Sequence, residues 1–280
     1  MNLEEKLKKL EQIITGYGQM IVALSGGVDS TFLLVFASKV YADAGCPDNV
    51  AAITATGPQF AGDETGFAEQ LCERLSISHK KLHAAFVLDS IKDNPSDRCY
   101  ICKKELFSMM KARADMVGSV LADGTNLDDL EDYRPGYRAI QELGVVSPLK
   151  EAGLTKADIR QALAETSIRE ASGKAEYPAF ACLMTRIPFG EEITEEKLQM
   201  IGGAEAYLKE RGFTQVRVRC HETAGGYLAR IELKQDEMSR LFGEARKEGA
   251  ASCESDLKEM GFRFVTLDLG GYEKGKMNAL

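Results

Sequence analysis

Short apolar runs alternate with longer segments of helical spacing along the first half of the chain. The runs have the length of strands and lie at residues 20–24, 50–55, 79–83 and 119–122. The helical patterns cover residues 1–18, 31–41, 63–75 and about 99–116. Strands that alternate with helices predict a doubly wound α/β fold, whose parallel sheet binds ligands at the carboxyl ends of its strands.

The pattern changes after Pro148. A helical stretch at 155–165 is followed by segment 167–190, which is too long for a simple connector. The order then becomes helix, strand, strand, helix, strand, at residues 194–211, 215–221, 227–233, 236–260 and 263–269. This order predicts a second, smaller α+β domain. The predicted organisation is a domain over 1–150, a linker over 151–190 that carries Cys182, and an α+β domain over 191–280.

Charge and hydropathy argue against two functional classes. The chain has 280 residues, with 35 Lys and Arg against 43 Asp and Glu, and its net charge of −8 disfavours a general binder of nucleic-acid backbones. Its apolar stretches are far shorter than the ~20 residues of a transmembrane helix, and its charged, amphipathic start lacks the apolar core of a secretory signal. We therefore expect a cytoplasmic protein that binds neither nucleic acid nor membrane.

A glycine-rich turn, Ser25-Gly26-Gly27-Val28-Asp29-Ser30, separates the first predicted strand from the buried helix that follows it. Glycines let the backbone approach a ligand, and successive N–H groups at a helix N-terminus attract anionic oxygens. A phosphate is the expected ligand, although the Walker pattern and the dinucleotide GxGxxG pattern are both absent. A turn in which Asp or Ser caps the helix would explain the same residues without a ligand.

Two further turns end predicted strands at the sheet edge where a nucleotide is expected. They are Thr56-Gly57 and Gly124-Thr125. Ordinary turn chemistry is an equal alternative for either pair.

Three of the seven cysteines suggest a metal site. Cys99 and Cys102 form a CxxC pair, which brings two thiolates to one metal, and Cys182 stands in a separate segment. A structural zinc normally takes about four ligands and would need a further residue. The CxxC does not follow the first strand of a thioredoxin-like unit, which disfavours a redox dithiol. The remaining cysteines are expected to be small core residues, namely Cys46, Cys72, Cys220 and Cys253.

The glycine turn and the segments around these cysteines carry a family resemblance. SGGVDS resembles the pyrophosphate-binding loop of the PP-loop ATP-pyrophosphatase superfamily, which splits ATP into AMP and pyrophosphate. The whole set resembles the LarE family, ATP-dependent sulfur transferases of nickel-pincer nucleotide biosynthesis. The other segments of the set are RCYICKKELF, DGTNLDDLEDYRPGYRA, ACLMTRIPFGEEIT, QVRVRCHE and GFRFVTLDLGGYEKGKMN. The resemblance implies a PP-loop first domain, adenine nucleotide alpha hydrolase-like, and a second domain for substrate binding and oligomerisation.

The implied reaction has two steps. ATP adenylates a carboxylate of pyridinium-3,5-biscarboxylic acid mononucleotide with release of pyrophosphate, and a sulfur donor then displaces AMP to leave a thiocarboxylate. Catalytic roles are implied for Asp29, which would act through Mg²⁺, and for Cys182 and Arg186. The residues implied to bind ATP are Ser25, Gly26, Gly27, Asp29, Ser30, Thr56, Gly124 and Thr125. Family members form ring-like hexamers, so a homo-oligomer of that kind is expected.

The resemblance allows two sources of sulfur. In one branch a lone cysteine matching Cys182 gives up its own sulfur, and in the other three cysteines hold a 4Fe-4S cluster with one iron open to an extra sulfide. The presence of Cys99, Cys102 and Cys182 favours the cluster, because an iron-bound hydrosulfide is a renewable nucleophile. The sacrificial Cys182 and a structural zinc remain as alternatives.

Arginines suited to phosphate and carboxylate oxygens mark the predicted substrate site. Arg217 and Arg219 alternate along a predicted strand and share one face, and Arg186 follows Cys182 closely. A solvated sheet face with surface ion pairs is the alternative. The resemblance adds Glu205 to the substrate site, whereas Glu232 is left out because the loop at 220–226 is longer than the family pattern.

Three rival functions follow from the same motifs. A PP-loop tRNA thiolase would need an extended basic surface, which the acidic balance disfavours. An amide-forming PP-loop enzyme such as an NAD synthetase would leave the three cysteines without a purpose. A nucleotide-binding regulator stabilised by zinc would bind ATP without turnover.

Overall fold

The computed structural model divides the chain into two compact units. The first contains Met1–Ser90 and Asp97–Phe180, and the second contains Ile91–Ser96 and Ala181–Leu280. The structure describes residues 1–60, 62–130, 135–164, 181–245, 249–273 and 276–279. The short segment Ile91–Ser96 therefore belongs to the second unit, although the chain on both sides of it belongs to the first.

A parallel four-stranded sheet forms the centre of the first unit. Its strands are β1 (Met20–Ala23), β2 (Val50–Thr56), β3 (Ser78–His83) and β4 (Val120–Ala122). They are ordered β3-β2-β1-β4, and every neighbouring pair is parallel. The strand order reverses at β1, which makes the carboxyl ends of β1 and β4 the expected ligand position. The doubly wound α/β fold expected from the sequence is confirmed.

Helices connect these strands and cover the sheet. They are α1 (Leu3–Gly16), α2 (Val28–Asp43), α3 (Gly62–Leu75), α4 (Val87–Ser90), α5 (Arg98–Met116), α6 (Pro135–Glu142), α7 (Pro148–Glu151) and α8 (Lys156–Ala164). The hydrophobic spacing predicted α1, α2, α3, α5 and α8. It missed α4, α6 and α7, because elements of four to eight residues are too short to show a helical period.

Helix α2 lies at the centre of the core of the first unit. Phe32, Leu33 and Leu34 are fully buried in this helix, and α1 packs against it through Leu10 and Ile14. A helix surrounded by other elements is apolar on most of its faces, which explains the lack of an amphipathic pattern in α2. This packing holds the N-terminus of α2 in place at the end of β1.

The second unit contains a separate three-stranded sheet with helices. Its elements are β5 (Val216–Thr223), β6 (Gly226–Leu233), β7 (Phe262–Leu267), α9 (Glu195–Glu210), α10 (Gln235–Ala245) and α11 (Gly249–Glu259). Strands β5 and β6 form an antiparallel hairpin, and β7 pairs with β6 in parallel. Among the described residues of both units, no helix is long and apolar enough to cross a membrane.

Candidate active site

The turn after β1 has the geometry of an anion-binding loop. Strand pairing continues to Leu24, whose N–H donates to the Ile53 carbonyl at 2.9 Å, and the chain then turns through Gly26 at a φ of 75°. That left-handed conformation favours glycine. Gly27 is the N-cap of α2, and no side chain of the described residues caps it. The backbone N–H groups of the first turn of α2 therefore point toward a ligand position at the positive end of the helix dipole.

Serine hydroxyls hold the shape of this loop from within. Ser30 Oγ accepts from the Ser25 N–H at 3.2 Å and donates to the Gly27 carbonyl at 3.3 Å. Ser25 itself is exposed, and a Cβ built on Gly27 would meet only Ser25 Oγ, at 3.4 Å. The loop is thus braced on the inner side and open on the outer side. Ser30 braces the loop instead of capping the helix, which favours the ligand-binding interpretation of SGGVDS.

The turn after β4 lies directly against the loop. A Cβ built on Gly124 would lie 2.7 Å from Ser30 N and 3.0 Å from Ser30 Cα. Because those atoms belong to the backbone of α2, only glycine allows this approach. The structure therefore brings Gly124 together with the predicted loop, at the carboxyl ends of β1 and β4.

Two residues that the sequence analysis missed support this turn. The buried Asp123 carboxylate accepts from Ser147 Oγ at 2.6 Å and from the Thr125 hydroxyl. Thr125 is predicted to bind nucleotide, but its hydroxyl is directed to Asp123. Asp123 could have been predicted from its position between β4 and Gly124. Ser147 is distant from this turn in sequence, and no motif marks it.

The turn after β2 is shaped by Gln59, which the sequence analysis also missed. Gln59 is fully buried and its Nε2 donates to the Ala84 carbonyl at 2.8 Å. A Cβ on Gly57 would lie 2.6 Å from Gln59 Oε1, and that oxygen has no hydrogen-bond partner among the described residues. Gly57 is therefore required for the packing of Gln59. Thr56 Oγ1 donates to the Leu82 carbonyl at 3.5 Å, so its contribution to ATP binding stays a prediction.

The CxxC pair opens helix α5 in the first unit. Cys99 is exposed and Cys102 is buried, and their spacing of three residues places them on neighbouring turns of one helix face. Helix α6 packs closely on this turn, because a Cβ on Gly136 would lie 3.3 Å from the Cys99 carbonyl oxygen. All seven cysteines are free thiols, so both members of the pair could act as ligands.

Cys182 belongs to the second unit and starts a short 3₁₀ helix, Leu183–Arg186. Its side chain is partly exposed, and its carbonyl accepts from Thr185 Oγ1 at 2.8 Å and from Arg186 Nη1 at 3.1 Å. Arg186 Nη1 also donates to the Ala181 carbonyl at 2.7 Å. The Arg186 guanidinium therefore holds the backbone on which Cys182 is placed.

Glu205 on α9 anchors Arg186 in the interior. Its two carboxylate oxygens accept from Arg186 Nε at 2.8 Å and from Nη2 at 2.9 Å, and both residues are only 3% exposed. Glu205 also accepts the Val218 N–H of β5 at 3.0 Å. Such a bidentate pair is geometrically specific. The predicted substrate residues Arg186 and Glu205 thus bind each other, and direct contact of either with substrate stays a prediction.

Arg217 and Arg219 share one face of β5, as predicted, but this face is not solvated. They are 9% and 5% exposed, respectively. Arg219 donates to Glu232 Oε2 at 2.7 Å and to the Thr185 carbonyl at 3.0 Å. The Arg217 guanidinium lies 5.3 Å from the centre of the Tyr272 ring. Burial lowers the pKa of Arg217, and the nearby positive charge of Arg186 adds to this effect.

Glu232 bonds to Arg219 of β5 and also to Arg230 of β6. It is fully buried and also accepts from Arg230 Nη1 at 3.0 Å, while Arg230 bonds to Asp268. A buried carboxylate of this kind requires such partners. Glu232 is not among the residues predicted for the substrate site, but the pairing of Arg217 with Glu232 across β5 and β6 places it beside the predicted arginines.

The predicted cysteine ligands come from different units, Cys99 and Cys102 from the first and Cys182 from the second. Within the described ranges, no group of three or more His, Cys, Asp or Glu side chains is arranged to hold a metal ion. The predicted cluster ligands therefore remain a prediction.

Comparison with known proteins agrees with the strand, loop and helix around Gly26. Residues 17–98 match the family described as asparagine synthase. The pyridinium-3,5-bisthiocarboxylic acid mononucleotide synthase of Lactiplantibacillus plantarum is 34% identical over 264 residues, which cover 93% of this chain and 89% of that protein. The chain belongs to the LarE family.

Two further relatives match almost the full length of the chain. An uncharacterized protein of Synechocystis is 37% identical over 280 residues, covering 99% of this chain and 98% of the relative. An uncharacterized protein of Methanocaldococcus jannaschii is 29% identical over 272 residues, covering 97% and 94%. As a LarE family member with an ATP-binding PP-loop, the chain is an ATP-dependent sulfur transferase.

Proposed function

We propose that this LarE family member converts carboxylates of pyridinium-3,5-biscarboxylic acid mononucleotide into thiocarboxylates at the expense of ATP. The product named for the Lactiplantibacillus plantarum relative supports this substrate. The observation that carries the proposal is the left-handed turn through Gly26, which is open at Ser25 and Gly27, with the uncapped N-terminus of α2 behind it. Such a turn suits a transient polyanion, because its donors are fixed before the anion arrives.

The first step is adenylation of the substrate. A carboxylate oxygen attacks the α-phosphorus of ATP, the bond from that phosphorus to the bridging oxygen of the β-phosphate breaks, and pyrophosphate leaves with the electron pair. The amides of the first turn of α2 stabilise the growing negative charge of the leaving group. Asp29 lies in that first turn and would hold Mg²⁺, which supplies further positive charge to the phosphates.

The second step is transfer of sulfur. A hydrosulfide attacks the carbonyl carbon of the adenylate, a carbon–sulfur bond forms, and the carbon–oxygen bond to AMP breaks. AMP carries the oxygen away, the hydrosulfide proton is released to solvent, and no atom changes its oxidation state overall. The guanidinium groups of Arg217 and Arg219 on β5 would hold the substrate's phosphate and carboxylates.

The three predicted thiol ligands fit an iron–sulfur cluster by their chemistry. Cys99 and Cys102 are thiols on neighbouring turns of one helix face, and Cys182 is a partly exposed thiol at the start of a turn held by Arg186. When bound through Cys99, Cys102 and Cys182, a 4Fe-4S cluster supplies an iron without a protein ligand, where an extra sulfide is stored. Arg186 and Glu205 act in this proposal by holding the Cys182 turn.

The proposal is tested by incubating the anaerobically reconstituted protein with ATP, Mg²⁺, sulfide and the pyridinium dicarboxylate mononucleotide. We expect AMP and pyrophosphate in equal amounts, released only when the mononucleotide is present, together with a thiocarboxylate product seen by mass spectrometry. Tight ATP binding without turnover would contradict the proposal and indicate a regulator.

The mass of the protein before and after turnover then identifies the sulfur source. An unchanged protein mass supports the cluster. Loss of the elements of hydrogen sulfide at Cys182 would show that this residue forms a thioester with the adenylated carboxylate and then eliminates the thiocarboxylate, leaving dehydroalanine.

A further inference from the structure

The segment Ile91–Ser96 is hydrogen-bonded to the residues that follow the Cys182 turn. Asn94 is fully buried, and its Nδ2 donates to the Pro188 carbonyl at 2.6 Å and to the Ile187 carbonyl at 3.3 Å. Its own carbonyl accepts from the Gly190 N–H at 3.1 Å, and the Lys92 carbonyl accepts from Ile193 N–H at 2.8 Å. All of these residues belong to the second unit.

Asn94 adopts a strained conformation to make these bonds. Its φ is 51°, and Ser76 is the only other non-glycine residue with a positive φ in the described part of the chain. Asparagine tolerates the left-handed region better than most residues, but the conformation still costs free energy unless the surroundings enforce it. The two hydrogen bonds from Asn94 Nδ2 and the hydrogen bond from the Gly190 N–H to the Asn94 carbonyl hold the residue in this conformation.

The hydrogen bonds of Asn94 to Ile187 and Pro188, called the tie below, lie close in sequence to two of the predicted cysteine ligands. Cys99 follows Asn94 by five residues, and Cys182 precedes Ile187 by five residues. Helix α5, which carries the CxxC pair, starts at Arg98, just after segment Ile91–Ser96. The Cys182 turn, which Arg186 holds, lies just before Ile187. Hydrogen bonds between these two short stretches of chain reduce the conformations that are open to each of them.

We propose that Asn94 is a positioning residue, which ties the entry to the CxxC helix to the segment that carries Cys182. The amide acts through the backbone of both segments and touches no reacting atom. The effect of Asn94 on cluster assembly rests on the proposed function. Its effect on the conformation of the two segments that carry Cys99 and Cys182 does not.

The tie is tested with two variants and a matched control. Asn94→Gly keeps the left-handed conformation accessible but removes the donor. Asn94→Asp keeps the size and turns an oxygen toward the two carbonyls in place of the NH₂ group. Ser76→Gly changes an exposed residue of the same backbone conformation that lies elsewhere. In both Asn94 variants the Gly190 and Ile193 amides should exchange with solvent at least about tenfold faster than in the wild type or Ser76→Gly.

A thiol-labelling experiment on the metal-free protein then tests positioning. A small alkylating reagent is added anaerobically, and the labelling rates of Cys99 and Cys182 are each quantified by peptide mass spectrometry. We expect both rates to change at least about threefold in Asn94→Gly and Asn94→Asp, with Ser76→Gly like the wild type. Unchanged labelling rates in both Asn94 variants would overturn the proposal.

Iron content separates this proposal from the proposed function. After reconstitution with iron and sulfide, the Asn94 variants should hold less than about half the iron per chain of the wild type. If the labelling rates change as expected but the wild type binds no iron, the cluster is overturned and the positioning role of Asn94 stands. Variants with changed labelling but normal iron would show that the Asn94 hydrogen bonds do not serve the metal site, and so would overturn that consequence.

Discussion

The glycine loop of the first unit and the arginines Arg186, Arg217 and Arg219 of the second are both predicted to bind anions, but the structure builds them in opposite ways. The loop offers backbone donors that the protein itself leaves uncapped at the start of α2. The cluster uses guanidinium groups that are already bonded to buried carboxylates, as in Arg186 with Glu205 and Arg219 with Glu232. A rigid loop can thus bind an anion without rearrangement, whereas the cluster owes its rigidity to charges that compensate each other.

The largest effect should come from breaking the Arg186–Glu205 pair. Glu205→Ala leaves a buried guanidinium without its carboxylate and removes the acceptor for the Val218 N–H, and we expect a loss of about 3–5 kcal/mol in the free energy of unfolding. Urea denaturation measures this loss. Glu205→Gln keeps one amide oxygen as acceptor and should lose less, and equal stability of Glu205→Ala and the wild type would refute the anchoring role.

Gly124→Ala tests the close approach of the turn after β4 to the backbone of Ser30 in the glycine loop. The added Cβ would meet the Ser30 backbone at 2.7 Å, so the first turn of α2 must shift. We expect mononucleotide-dependent pyrophosphate release to fall by about 100-fold or more, with a loss of about 1–3 kcal/mol in stability. Gly66→Ala is the control, because nothing lies within 4 Å of its Cβ position, and it should leave pyrophosphate release unchanged.

Gly27→Ala separates binding from folding at the loop. The φ of Gly27 is −76°, and its Cβ would meet only Ser25 Oγ, so we expect stability to change by less than about 0.5 kcal/mol. Pyrophosphate release should nevertheless fall at least about tenfold, because the methyl group occupies the open side of the loop. A fully active Gly27→Ala protein would argue that the phosphates bind elsewhere.

The smallest effect concerns acid stability of the first unit. Burial alone would raise the pKa of Asp158, but hydrogen bonds from Lys6 and Thr155 outweigh it and lower the pKa to about 2. A lowered pKa stabilises the folded state above the unfolded value, near 4, and this stabilisation disappears as the pH falls toward 2. Asp158→Asn should therefore cost about 1 kcal/mol at neutral pH and progressively less as the pH falls below about 4.

Thermal unfolding across this pH range measures the Asp158 effect. Lys39 and Asp43 form an exposed ion pair at the surface of α2, so Asp43→Asn is a matched control that should change stability less. A constant difference between Asp158→Asn and the wild type at all pH values would contradict the assignment.

The elements of the sheet and the glycine loop could be predicted because their causes are local. Apolar runs of strand length and helical spacing are visible within a dozen residues, and Gly26 stands where the turn needs a left-handed residue. The short helices α4, α6 and α7 escaped prediction because a helical period needs more than two turns to appear.

The hydrogen-bond partners of the predicted site residues could not be predicted from the sequence in the same way. Arg186 and Glu205 were both selected for the substrate site, but their bond to each other joins residues 19 positions apart. Gln59, Asp123 and Ser147 gave little or no signal, since each acts by filling or bracing a turn made of distant strands.

The amino-acid sequence alone determined the α/β class, the SGGVDS loop and the presence of three cysteines and several arginines available for chemistry, because these depend on periodicity and residue type. Only the tertiary structure decided which groups are left to meet a ligand and which are bonded within the protein. Burial makes that decision, because a charge or amide removed from water must find a partner wherever the fold places one.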